Sequence, residues 1–172
     1  MLKRFVYIVC FLSFCSPSFA SNLKDYEFAD PKKLPDFNFV DKNKDVVSLN
    51  DFSGKVVVLN FWATWCRPCV AEMPSLDKMA RSLEGRNIVV IPLSVDYKGV
   101  DVIKEFYNQN KINNLNIYSD ERGRSFKSFN LKALPTTIII NKEGSEVARV
   151  LGEIEWNSSE VKEYLRELSF QQ

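Results

Sequence analysis

The feature that most constrains this chain is a pair of cysteines, Cys66 and Cys69, at the point where a strand pattern gives way to a helix pattern. Residues 56–62 form a largely apolar run, which predicts a buried strand. From residue 68 onward, apolar side chains recur every three or four positions, as in an amphipathic helix. Two thiols at such a junction can close a disulfide with little rearrangement, and the helix N-terminus stabilises a thiolate. The pattern therefore predicts a site of thiol-disulfide exchange.

Residues 1–20 have the pattern of a secretory signal peptide. Lys3 and Arg4 precede an apolar stretch, and Ser18-Phe19-Ala20 offers small residues at the cleavage positions. We therefore expect a mature protein that begins at Ser21 and is exported to the periplasm as a soluble chain. An uncleaved signal that tethers the protein to the inner membrane is the alternative, although the stretch is shorter than the ~20 residues of a spanning helix.

The positions of the four cysteines indicate one redox pair. Cys10 and Cys15 lie within the predicted signal, so its removal would leave only Cys66 and Cys69. The sequence has no histidine, which excludes histidine-dependent nucleophiles and histidine metal sites, and two thiolates are too few for a closed zinc site. The formal net charge of +1 does not indicate nucleic-acid binding. We expect no metal, no cofactor and no nucleic-acid partner.

The rest of the chain predicts one α/β domain. Residues 21–34, with several lysines and prolines, are predicted to be a flexible tether ahead of a domain over residues 35–172. Alternating apolar residues on either side of a polar turn predict a β-hairpin over residues 37–49. The helix after the cysteines is expected to run to about Gly85, with a kink at Pro74. Further strands are predicted at 88–95, 116–118, 136–141 and 147–151. One further helix is predicted to end near residue 110, and a short one to span about 124–129. Asn157 with Glu160 predicts the capping box of a last helix.

Three motifs together carry a family resemblance. They are Phe61-Trp62-Ala63-Thr64-Trp65-Cys66-Arg67-Pro68-Cys69, Glu72-Met73-Pro74 and Leu134-Pro135-Thr136-Thr137. In this combination they resemble the thioredoxin superfamily, specifically its exported TlpA/ResA-like reductases. The resemblance implies a thioredoxin-like fold, which is a central mixed β-sheet flanked by helices, with an N-terminal β-hairpin and a central insertion. It also implies that the Leu134-Pro135 bond is cis and faces the cysteine pair.

One departure from plain thioredoxins concerns proton transfer. Asn60 stands where those proteins carry a buried aspartate, and an asparagine cannot accept a proton from Cys69. The exported relatives have a glutamate at the position of Glu72, and the resemblance implies that this residue assists proton transfer. A helix would put Glu72 on the surface next to Cys69, three residues earlier. An ordinary solvated helix glutamate is the alternative.

The two cysteines are expected to have different roles. Cys66, at the exposed start of the helix, attacks the client, and Cys69, one turn later, resolves the mixed disulfide. The charge of Arg67 adds to the helix dipole in favouring the thiolate, with a tolerated surface residue as the alternative. Trp65 would cover a bound peptide, with packing of the motif loop as the alternative. A cis Pro135 would present backbone groups of Leu134 to an extended client, with a simple turn as the alternative. The residues expected to bind the client are Trp65, Arg67, Pro68, Leu134, Pro135 and Thr136.

These features predict an exported reductase of selected proteins. Its clients would be proteins with cysteines, such as apocytochromes c or copper-site proteins, and a membrane electron donor of the thiol-transfer type would recharge it. A disulfide-forming oxidase with a DsbA-like role is the alternative within the same class, because only ~1.4 kcal/mol separates potentials 30 mV apart. A non-catalytic Cu(I) thiol carrier and a structural adaptor are alternatives from other classes. A thiol peroxidase is excluded, because neither cysteine lies in a Pro-x-x-x-Thr-x-x-Cys setting.

Overall fold

The structure is a computed structural model that describes residues 26–171 of the chain. The predicted signal peptide and the first part of the predicted tether, residues 21–25, lie outside the described residues. Within residues 26–171, no helix is both long enough and apolar enough to cross a membrane.

A mixed sheet of eight strands forms the centre of the fold. The strands are β1 (Tyr26–Lys33), β2 (Asn38–Asp41), β3 (Val46–Ser48), β4 (Val56–Trp62), β5 (Ile88–Ser94), β6 (Tyr118–Ser119), β7 (Thr136–Ile140) and β8 (Ser145–Leu151). Their order across the sheet is β1-β8-β7-β4-β5-β6-β2-β3. Since β4 pairs with β5 in parallel and with β7 antiparallel, the strand that leads into the cysteine pair is central.

Each predicted helix is present in the described chain. The helices are α1 (Arg67–Ser82), α2 (Val100–Asn110), α3 (Arg124–Ser128) and α4 (Ser159–Phe170), and a short 3-10 helix spans Leu49–Phe52. The cap predicted for α4 is wrong by one residue. Ser158, not Asn157, is the N-cap, because its extended backbone lets its hydroxyl accept the Val161 N–H at 3.2 Å. The Asn157 side chain instead accepts a hydrogen bond from Lys162 Nζ.

The central strand β4 is buried on both faces, as its apolar run predicts. Successive side chains point to opposite sides of a strand, so Val58 and Trp62 pack with α1, α2 and α4, whereas Leu59 and Phe61 pack on the other face. The polar Asn60 shares the face of Val58 and Trp62 and is fully buried there. Strand β4 therefore carries one polar side chain, that of Asn60, into the core beneath α1.

The prediction of a flexible tether over residues 21–34 is wrong for Tyr26–Lys33, which form β1. This strand pairs antiparallel with β8, from Tyr26 opposite Val150 to Lys33 opposite Ser145. The Tyr26 ring is buried, and its centroid lies 5.7 Å from that of Tyr164 on α4. Exposed lysines are common on an edge strand, where they discourage pairing with other chains, and this is why the composition resembled that of a linker.

The predicted hairpin and central insertion are both confirmed. Strands β2 and β3 pair antiparallel from Asn38 opposite Ser48 to Val40 opposite Val46. Between β5 and β7 the chain forms α2, β6 and α3, and β6 joins the hairpin to the sheet by pairing with both β2 and β5. The thioredoxin-like fold with its mixed central sheet is therefore the observed architecture.

Candidate active site

A disulfide joins Cys66 and Cys69 at the start of α1, with their Cα atoms 5.2 Å apart. Cys66 is the N-cap residue, and its Sγ accepts a hydrogen bond from the Cys69 backbone N–H at 3.3 Å. Pro68 lies in the first turn, where a missing N–H costs little because the first amides of a helix have no partner within the helix. The Cys66 sulfur thus meets the positive end of the helix dipole, which stabilises a thiolate.

The two cysteines differ in accessibility, but less than the sequence suggests. Cys66 was expected at an exposed position, yet only 6% of it is accessible, compared with 0% of Cys69. The reason is that Cys66, bonded to a buried partner, packs against the same core as Trp62 and Met73. The more accessible sulfur is still the one predicted to attack, and the roles of the two cysteines stay a prediction.

A buried carboxylate holds the loop that leads to the cysteines. Asp96, the second residue after β5, accepts hydrogen bonds from the Thr64 N–H and the Thr64 hydroxyl, both at 2.8 Å, and from the Ser94 hydroxyl at 2.8 Å. Only 4% of Asp96 is accessible. These contacts join the ends of β4 and β5 and fix the approach to Cys66. Sequence reasoning missed Asp96, although an acidic residue just beyond the end of a buried strand is a usable signal.

Glu72 lies on the side of α1 that faces the sheet and is buried there, so the alternative of a solvated helix glutamate is wrong. Only 3% of this residue is accessible. Its Oε1 accepts a hydrogen bond from Asn60 Nδ2 at 2.8 Å, and its Oε2 accepts one from Trp156 Nε1 at 2.8 Å. Each carboxylate oxygen thus has a donor from a different part of the fold.

Burial raises the pKa of Glu72 from 4.5 to about 7, because the charged form loses its hydration. The hydrogen bonds from Trp156, from Asn60 and from the backbone of Ile154 oppose this rise, and the nearby charge of Glu153 adds to it. A carboxyl group with such a pKa is present in both protonation states near neutral pH. It can therefore accept a proton and release it again.

The polar network continues beyond the carboxyl group. Asn60 Nδ2 also donates to the Thr137 hydroxyl at 2.9 Å, which links β4 to β7. The Ser75 hydroxyl donates to the Glu72 carbonyl at 2.9 Å and accepts the Trp156 backbone N–H at 3.2 Å. Sequence reasoning quoted Thr137 only as part of a motif and missed Ser75 and Trp156. No local pattern relates Thr137 to Asn60, 77 positions away, or Trp156 to Ser75, 81 positions away.

The bond between Leu134 and Pro135 is cis, as the resemblance implies. Thr136 pairs with Phe61, so Pro135, one residue before the start of β7, lies at the same end of the sheet as the beginning of the cysteine motif. Leu134 is half-buried. The Thr136 side chain is fully buried, and its hydroxyl donates to the Ala133 carbonyl at 2.7 Å. That Thr136 binds the client stays a prediction.

The residues around Cys66 present an exposed surface. Trp65 is 69% accessible, so the alternative that it packs the motif loop is wrong. Arg67 and Pro68 are also exposed. A second aromatic that sequence reasoning missed, Tyr97, is 89% accessible and directly follows the aspartate that holds the motif loop. Within residues 26–171, no group of three or more histidine, cysteine, aspartate or glutamate side chains is arranged to hold a metal.

Comparisons with known proteins agree with this geometry. Residues 31–148 match the AhpC/TSA family. The thiol-disulfide oxidoreductase ResA of Bacillus thuringiensis subsp. konkukian is 30% identical over 138 residues, covering 80% of this chain and 78% of that protein. A secreted thiol-disulfide isomerase from Corynebacterium glutamicum is 25% identical, with a TM-score of 0.72, and the match covers 88% of this chain and 96% of that protein. The exposed lipoprotein thioredoxin Etrx1 of Streptococcus pneumoniae is 29% identical, with a TM-score of 0.65, and the match covers 77% of this chain and 99% of that protein.

Proposed function

This chain belongs to the AhpC/TSA family and is a thiol-disulfide oxidoreductase of the ResA type, and we propose that it reduces disulfides in selected exported proteins. The observation that carries the proposal is the Cys66-Cys69 disulfide at the N-terminus of α1, one helical turn before a buried carboxyl group. The disulfide is the oxidised end of the cycle, and the dithiol would be the form that acts on a client.

The reaction has two exchange steps. The Cys66 thiolate attacks one sulfur of the client disulfide, and the other client sulfur leaves as a thiolate and takes up a proton. Cys69 then loses its proton and attacks the Cys66 sulfur, so that the Cys66-Cys69 disulfide forms and the second client sulfur leaves and is protonated. Two electrons pass from this protein to the client. Cys69 releases one proton in the second step, and the other proton on the client thiols comes from solvent, to which Cys66 gave its proton when it ionised.

Glu72 supports the second step as the acceptor of the Cys69 proton. It lies one helical turn after Cys69, and both residues are buried, so water does not readily serve as the base. A pKa of about 7 suits this task, because the ionised form that accepts a proton is available at neutral pH. Asn60 has no acidic proton and instead holds the carboxylate by a hydrogen bond.

The client would bind across the exposed surface around the disulfide. Trp65 offers an accessible aromatic ring beside Cys66, where it could cover an extended peptide and exclude water. Arg67 and Pro68 extend this surface along the first turn of α1. On the β7 side, Leu134 lies just before the start of this strand, and its backbone groups would pair with an extended segment of the client.

Export and recharging complete the proposal. The pattern of residues 1–20 supports secretion, and two of the similar proteins are described as secreted and as an exposed lipoprotein. Apocytochromes c or copper-site proteins are the proposed clients. Each turnover leaves the protein as a disulfide, so a membrane electron donor must supply two electrons by thiol transfer.

Replacing Cys69 with serine in the full-length protein is expected to trap clients on Cys66. The serine cannot resolve the mixed disulfide, so covalent complexes should accumulate in the native compartment. Non-reducing electrophoresis followed by mass spectrometry of the trapped cysteines measures this. The Cys66→Ser, Cys69→Ser double variant is the control and should trap nothing. If the single variant also remained empty, the protein would have a non-catalytic role.

The direction of exchange is expected to favour reduction of clients. Equilibration of the purified protein with glutathione should give a reduction potential well below about −120 mV, which is the potential of a strong disulfide oxidant. The fraction of oxidised protein at each glutathione ratio can be measured by alkylation and mass spectrometry. A value at or above about −120 mV would instead support the disulfide-forming oxidase.

A further inference from the structure

Trp156 reaches the carboxyl group of Glu72 from the segment before α4, 84 residues away in sequence. Its side chain is fully buried, and its indole N–H lies 2.8 Å from Glu72 Oε2. Its backbone N–H donates to Ser75 on the helix that carries Glu72. The ring centroid lies 6.4 Å from that of Tyr26 on β1 in an edge arrangement. The indole is thus held from two sides with its donor directed at one carboxylate oxygen.

An indole N–H can only donate a hydrogen bond, so it stabilises the ionised form of the carboxyl group over the protonated form. The other oxygen of Glu72 accepts its hydrogen bond from Asn60. Without the indole donor, Oε2 would lose its side-chain partner in a buried position, and the charged form would carry the cost of an unpaired oxygen. The neutral acid would then persist to higher pH.

We propose that Trp156 is a positioning residue for the reaction: its indole N–H holds Glu72 Oε2 and keeps the carboxylate available to accept the proton of Cys69. The inference rests on the proposed function of Glu72. The step it supports is a proton transfer that moves no electrons. The S–H bond of Cys69 breaks, the proton passes to the carboxylate, and the Cys69 thiolate forms its bond with the Cys66 sulfur as the client thiolate leaves.

The surroundings of Glu72 contain few other titratable groups. Glu153 is the charged side chain that acts on it, and its like charge opposes ionisation. Cys69 lies one turn earlier on α1, and the sequence contains no histidine. The remaining neighbours are uncharged: Asn60 from β4, Ser75 from α1, the Ile154 backbone and, through Asn60, Thr137 from β7. The indole of Trp156 and the amide of Asn60 are therefore the side-chain donors that oppose the rise in the pKa of Glu72 caused by burial.

The test compares Trp156→Phe with the wild-type protein. The pKa of Glu72 is measured by NMR of its labelled carboxyl carbon in the reduced full chain, and the resolution step by release of a model peptide from a Cys66 mixed disulfide. We expect the pKa of Glu72 to rise by about one unit or more, since the lost bond is to a charged group. The pH profile of peptide release should shift in the same direction, with about tenfold slower release on its acidic side.

Two further proteins separate the hydrogen bond from packing. Benzothienyl-alanine at position 156 keeps the shape of the double ring but lacks the N–H, and it should reproduce the pKa shift while the packing of the ring is retained. Trp62→Phe is the matched control, because Trp62 is equally buried and its indole N–H has no hydrogen-bond partner in the described structure. This variant should leave the pKa of Glu72 unchanged.

The outcomes distinguish this inference from the proposed function. An unchanged pKa and release profile with the benzothienyl analogue would overturn the positioning role of Trp156. The proposed role of Glu72 would still stand if Glu72→Gln slowed peptide release in the same assay. If Glu72→Gln released the peptide at the wild-type rate at every pH, the proton-transfer role of Glu72 would fail, and the inference with it.

Discussion

Replacing Cys66 with serine is expected to abolish disulfide exchange, with turnover lower by about 1000-fold or more. A serine hydroxyl at the N-terminus of α1 does not ionise near neutral pH, so the helix dipole has no thiolate to stabilise. The remaining thiol of the pair, Cys69, is fully buried and has no open path to a client disulfide. Reduction of a fluorescent peptide disulfide, with a chemical reductant as the electron source, measures the loss.

The matched variant is Cys69→Ser, which should also fail to turn over but should still complete the first exchange. In a single-turnover experiment, we expect one equivalent of mixed disulfide from Cys69→Ser and none from Cys66→Ser. The reverse result would exchange the roles of the two cysteines. It would also require a rearrangement that brings the more deeply buried sulfur to the surface.

Most of the fold follows from local patterns, because hydrophobic periodicity is a property of neighbouring residues. The unbroken apolar run of β4 predicts a strand covered on both faces, and all seven of its residues are buried. The spacing of Met73, Leu76 and Met79 predicts the buried side of α1, and all three are fully buried. The cysteine pair was likewise recognisable, since both residues and the strand-to-helix junction are local features.

The edge of the sheet shows where local patterns fail. Strand β1 contains two lysines, an aspartate and a proline, which are as typical of a linker as of an exposed edge strand. Its place depends on pairing with β8, more than 100 residues later. Propensity within the segment carries no information about such a distant partner, so the tether prediction was a consequence of reading the segment alone.

The buried polar network could not be predicted for a related reason. Glu72 occupies a helix position that is compatible with either solvent or core, and the choice depends on which residues approach from elsewhere. Asn60 lies 12 positions away and Trp156 lies 84 positions away. A family resemblance could indicate that Glu72 has a role, but the structure was needed to show that both of its oxygens are held in the core.

The pH dependence of folding stability is expected to report the burial of Glu72. Its pKa is raised from 4.5 to about 7, so the folded protein retains a proton that the unfolded chain releases between these values. The free energy of unfolding should therefore fall as pH rises from 4.5 to about 7, by about 3 kcal/mol, and should level off at higher pH. Glu72→Gln should lack this component.

The pH range is suited to the measurement. The sequence has no histidine, so no imidazole titrates between pH 5 and 8. In the oxidised protein, Cys66 and Cys69 form a disulfide and do not titrate. Chemical denaturation at intervals from pH 4.5 to 8, followed by tryptophan fluorescence, gives the free energy of unfolding at each pH.

Glu163→Gln is the matched control, because Glu163 is exposed on α4 and its substitution should leave the wild-type slope unchanged. The glutamine at position 72 places an amide N–H₂ against one of two donors, Asn60 or Trp156, which adds a destabilisation that does not vary with pH. The test therefore depends on the slope and not on the absolute stability. Equal slopes for wild-type and Glu72→Gln would mean that folding leaves the pKa of Glu72 near 4.5. A carboxylate with that pKa would be a much weaker base for the Cys69 proton at neutral pH.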